Sequence, residues 1–137
     1  MYFRGTNHKK NFESAMQPYK FESLSRVYLS ALYLLTADNG LWSKAKHHSK
    51  PNTIDFESIR IGGGSVESYV LFKTAQDLCC GTNRITVSEI ADKEIISDKL
   101  FTVICTAMMI SRHGKNILNL GGQKLCQYKK QSTTHHL

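Results

Sequence analysis

At 137 residues the chain has the size of one domain, long enough to bury a core without disulfide or metal staples. With 41% hydrophobic and 21% charged residues, disorder of the whole chain is excluded. Net charge is +7, spread as +5 over residues 1–50, −3 over 51–110 and +5 over 111–137, which permits contact with an acidic partner, nucleic acid included.

No apolar stretch approaches the roughly 18–20 residues of a membrane span, and the opening MYFRGTNHKK lacks the apolar core of a signal peptide. Cys79, Cys80, Cys105 and Cys126 form no Cys-x-x-Cys pair and no disulfide spacing. Free thiols in a reducing, cytoplasmic setting are the expectation, with no membrane partner.

Asn7 predicts the cap of a first helix over about His8 to Gln17, ended by Pro18, with Phe12, Ala15 and Met16 as its apolar stripe. Ser23 predicts the cap of a second, from Leu24 to about Ala37. There Leu24, Val27, Tyr28, Ala31, Leu32, Leu34 and Leu35 follow the 3.6-residue period. Leu29 and Tyr33 lie opposite, leaving only Arg26 and Ser30 as a polar wedge, so this helix should be central. Asp38-Asn39-Gly40 breaks it. Leu41 and Trp42 open a short third helix that dissolves into the loop KAKHHSKPN.

Ile54 to Ile61 alternates imperfectly and is the best strand candidate. After Gly62-Gly63-Gly64, Ser65 caps an amphipathic helix to Cys80, with Leu71, Phe72, Ala75, Leu78 and Cys79 facing inward and Gly81 as its stop. Ile85 to Val87 reads as extended, and Ser88 opens a brief helical turn. Ser97 caps the last strong helix, Asp98 to Arg112, ended by Gly114. Its Leu100, Phe101, Val103, Ile104, Ala107, Met108 and Ile110 make it the second central helix, packed on the first. The expected fold is mostly α: about five helices over residues 1–120, two of them central, with at most one short β-hairpin. Residues 121–137 read as a basic, flexible tail.

Few constellations carry chemistry. The run GGGS at 62–65 resembles a phosphate cradle, but Val66 and Glu67 stand where a P-loop closes with lysine and a hydroxyl, so it reads as a turn. His47 and His48 with Cys79 and Cys80 are adjacent pairs, unsuited to one tetrahedral metal centre, so neither metal nor cofactor is expected. Cys79 and Cys80 end a helix, where the dipole disfavours a thiolate, and Cys105 should be buried, so none is an activated nucleophile. His8 and Asn11 share a helix face at i, i+3. Such a pair recognises a partner or bonds backbone across a helix crossing. Arg112 ends an otherwise apolar helix and can pair with a carboxylate or with the helix dipole.

Four segments, in order, resemble a group of small bacterial families. They are NHKKNF at 7–12, YLSALYLLTADNGLW at 28–42, LFKTAQDLCCG at 71–81 and ISDKLFTVICTAMMISR at 96–112. The families are Gram-positive domains of unknown function with a His-x-x-Asn-Phe/Tyr first helix and a Tyr-x-x-Ala-x-Tyr-x-Leu central helix. The resemblance implies a compact helical fold and occurrence in chromosomes, phages and mobile elements, and it supplies no catalytic residue. The expected function is a non-enzymatic protein-interaction module, an accessory or anti-defence protein of a mobile element, with a protein partner or a second copy. One alternative is a nucleic-acid binder using Lys9, Lys10, Lys44, Lys46, Lys50, Lys124, Lys129 and Lys130. The other is an enzyme of unrecognised type. Candidate interaction residues are those lysines with His8, Asn11 and Arg112.

Overall fold

A computed structural model describes residues 1–114, 116 and 117. The tail expected over 121–137, with Lys124, Lys129 and Lys130, lies outside them.

The axis of the molecule is α2, Arg26–Leu35. Ser25 starts it by accepting the Tyr28 N–H, and every residue from Tyr28 to Leu35 is buried. Each fully buried leucine here contributes roughly 1.5–3 kcal/mol. A helix enclosed to this degree needs neighbours on several sides. It finds them in α4 (Val66–Cys80) and α6 (Asp98–His113), which both pack along it and touch each other more lightly. The shorter α1 (Thr6–Met16) crosses the end of α2. Then come α3 (Asn39–Ala45) and α5 (Val87–Ile90), giving six α-helices among the described residues in a mostly α fold.

The caps explain where the later helices begin and end. Ser65 and Ser97 accept the Ser68 and Leu100 N–H groups at the starts of α4 and α6. Gly81 closes α4 at φ 71, and Gly114 closes α6 at φ 64. Gly114 is needed twice over: a Cβ there would stand 2.4 Å from Arg26 Cγ. Its closeness to α2 is reinforced by the Arg26 guanidinium, which donates to the Arg112 carbonyl.

Several expectations change. The first helix starts at Thr6 without a side-chain cap, so Asn7 lies inside it. Ser25, not Ser23, caps α2, and Leu24 is buried ahead of it. Asp38 is no mere breaker: its carboxylate accepts the Leu41 N–H and caps α3. The strand expected over 54–61 is absent. Instead β1 (Ser49–Lys50) pairs antiparallel with β2 (Thr53–Ile54), followed by a 3-10 turn at Phe56–Ser58. Pro51 and Asn52 form the tip, Asn52 at φ 62, which fits the turn preferences of both residues. Thr86, not Ser88, begins α5, in a reciprocal capping box with Glu89.

Side-chain placement departs most from periodicity on two helices. Val27 and, on α6, Phe101 and Met108 were expected in the core but are 36%, 44% and 41% exposed. Cys105 is only partly buried. Conversely Ser30, expected in a polar wedge, is fully buried and its Oγ has no partner among the described residues. An unpaired buried hydroxyl costs stability, while alanine is the best helix former. Ser30→Ala is therefore expected to raise stability by about 1 kcal/mol, read as a higher urea midpoint. A lower midpoint would mean that the hydroxyl holds a partner.

Candidate functional site

A buried polar cluster sits where α1 meets the end of α2. The last carbonyls of a helix lack intrahelical donors. In α2, Leu32 and Leu34 carbonyls are taken by Thr36 and Ala37 N–H groups. The Tyr33 carbonyl is taken by a side chain from another helix: His8 Nε2 at 2.8 Å. The Arg4 N–H donates to His8 Nδ1 at 3.0 Å, so Nε2 carries the proton and the ring is neutral. His8 is 3% exposed, and burial lowers its pKa to about 4. Its ring lies 4.5 Å from that of Tyr33 and edge-on to Phe3 at 5.2 Å.

Charges surround this junction without entering it. The Arg4 guanidinium pairs with Glu67 in the first turn of α4. Asn11 Nδ2 donates to Asn39 Oδ1 at 2.8 Å, tying α1 to α3. Ser68 donates to the Asp38 carboxylate. A hollow of about 290 Å³ opens beside Arg4, Asn7, His8 and Asn39. His8 offers that hollow no free nitrogen. Of the two readings of the His8–Asn11 pair, His8 takes the one in which it bonds backbone across a helix crossing.

The glycine run before α4 forms a turn closed by the Gly64 N–H to the Ile61 carbonyl. The helix start beyond it already holds the Ser65 cap, with the Glu67 and Asp38 carboxylates close by. An anion would meet like charge there.

The remaining candidates do not form one patch. Lys9 and Lys10 are exposed on α1, at the end of α2. Lys50 lies in the hairpin whose tip residue, Asn52, bonds Ser23 and Ser25 at the opposite end of α2. Arg112 belongs to that same end, through Arg26. Lys44 and Lys46 are exposed at the end of α3. Burial, with Cys80 beside it, pushes the Cys79 thiol up to about 11, and burial raises Cys105 as well. Among the described residues, no three His, Cys, Asp or Glu side chains converge as a metal-ligand set, and no helix is long and apolar enough to cross a membrane.

What periodicity missed is the outward face of α6. Phe101, Cys105, Met108, Met109 and Arg112 recur at i, i+4, i+7, i+8 and i+11, one stripe on the helix. Leu100, Val103, Ile104, Ala107 and Ile110, on the other side, are buried against the core. A helix apolar nearly all round can be enclosed or can carry an unpartnered face, and its own sequence does not distinguish the two. Methionines let such a face adapt to different partners.

No family model, curated protein or solved structure matches the chain.

Proposed function

We propose that the protein is a non-enzymatic interaction module whose binding surface is the outward face of α6. The observation that carries this reading is the exposure of Phe101 and Met108 on a helix whose other side anchors the core. Large apolar side chains on a rigid element are what protein interfaces use as anchors. Two of the titratable groups with displaced pKa values support it too: His8 is committed to backbone and the Cys79 thiol is held protonated. The resemblance to families found on phages and mobile elements supports an accessory role, with inhibition of a bacterial immune effector as the specific form.

Affinity capture should retain a stoichiometric protein on the wild-type chain that a folded Phe101→Glu/Met108→Glu variant loses. Equal retention by both would remove the reading, as would no retention by either from a chain that is also monomeric.

A second reading is nucleic-acid binding, supported by the exposed Lys44, Lys46 and Lys50, which follow one another through the end of α3 and into the hairpin. Retention on heparin that falls steeply with salt would support it, and flow-through at low salt would remove it.

A further inference from the structure

We infer that the partner fitted by the outward face of α6 is a second copy of this chain, bound antiparallel about a two-fold axis beside Cys105. This rests on the reading that this face is the binding surface. A two-fold interface must be complementary to itself: if residue i meets residue j, then j meets i. The stripe has that property. Asp98 and Arg112 lie seven residues either side of Cys105, so each carboxylate meets the other copy's guanidinium. Phe101 and Met109 lie four residues either side, and Thr102 and Met108 three. Seven residues are two turns within about 20°, so Asp98, Cys105 and Arg112 share one side of the helix. Asp98 and Arg112 are both exposed, and neither has an ion-pair partner among the described residues.

The antiparallel direction follows from the charges. Parallel pairing in register would set Asp98 against Asp98 and Arg112 against Arg112, which is repulsive. Antiparallel pairing replaces both repulsions with attractions and puts Phe101 against a flexible methionine. The 16 residues of α6 span about 24 Å. One such helix pair covers less than the roughly 1,600 Å² of a standard interface, which places it among weak, transient contacts.

Sedimentation of the full chain from 1 to about 300 µM is expected to show a monomer–dimer equilibrium in the micromolar range. Asp98→Arg and Arg112→Asp should each weaken dimerisation tenfold or more, and the double variant should regain most of the loss. With Cys79, Cys80 and Cys126 changed to serine, a short bismaleimide should cross-link the dimer, and further Cys105→Ser should abolish the product. A monomer at every concentration overturns the proposal. So does a dimer indifferent to both charge changes or not cross-linked through Cys105. If the chain stays monomeric while Phe101→Glu/Met108→Glu loses a captured protein, the second copy falls and the interaction face stands. If neither is seen, both fall.

Discussion

Replacing His8 by glutamine is expected to flatten the acid side of the stability profile. In the folded protein the pKa of His8 lies at about 4, against an ordinary 6.5, because burial disfavours the charged ring. The unfolded chain therefore takes up a proton first as pH falls. The His8 contribution is complete above 6.5 and is lost progressively toward 4. The loss is about 3 kcal/mol between pH 7.5 and 4. Carboxylates titrate in the lower part of that window too, so the difference between the wild-type and glutamine curves isolates His8. Urea midpoints at half-unit pH steps measure it. Parallel curves for the two proteins would show that His8 does not titrate against folding.

His8→Ala tests the same group by removal. It leaves the Arg4 N–H without its acceptor and the Tyr33 carbonyl without its histidine donor, beside a new void. A loss of about 3 kcal/mol at pH 7.5 is expected, combining an unsatisfied buried donor with a cavity. The glutamine variant, which can still accept and donate, should lose less.

Tyr33→Ala should be at least as costly. Its ring packs against Phe3, His8 and Phe12, with centroids 5.9, 4.5 and 5.8 Å away, and it is fully buried. Its hydroxyl donates to the Tyr2 carbonyl at 2.7 Å. Removing a buried aromatic side chain costs about 4 kcal/mol. The partners lost include the segment Met1 to Phe3, so faster amide exchange there should accompany the lower stability. Tyr33→Phe keeps the ring packing and drops only the hydroxyl, for about 1 kcal/mol. Equal losses in the two variants would mean that the hydroxyl, and not the ring, secures this segment.

Much of this architecture was written locally. Ser65, Gly81, Ser97 and Gly114 bracket α4 and α6 because capping depends on a few adjacent groups. The centrality of α2 followed from its apolar circumference. The one short hairpin the sequence allowed could not be located, because its strands are two residues each, too short for alternation to register. Ser23 and Ser25 suit a cap equally well on composition. Their choice was made at a distance, by Asn52, whose side chain accepts the Ser25 N–H and donates to the Ser23 carbonyl. The candidate interaction face was illegible for a related reason. Phe101 and Met108 look like core residues until the neighbours of α6 are known, and those neighbours come from distant parts of the chain. His8 announced itself as a polar residue on a helix face. Its destination, the Tyr33 carbonyl, is a feature of packing.

The enclosure of α2 also sets a timetable for synthesis. Its eight consecutive buried residues leave the ribosome well before their cover, since about 60 residues separate Leu35 from the start of α6. At roughly 5–20 residues per second that interval lasts several seconds. Throughout it the most apolar segment of the protein is without one of its two main partners. A nascent chain stalled before Asp98 would present a sticky helix to chaperones and to neighbouring chains. Productive folding therefore waits on the synthesis of α6.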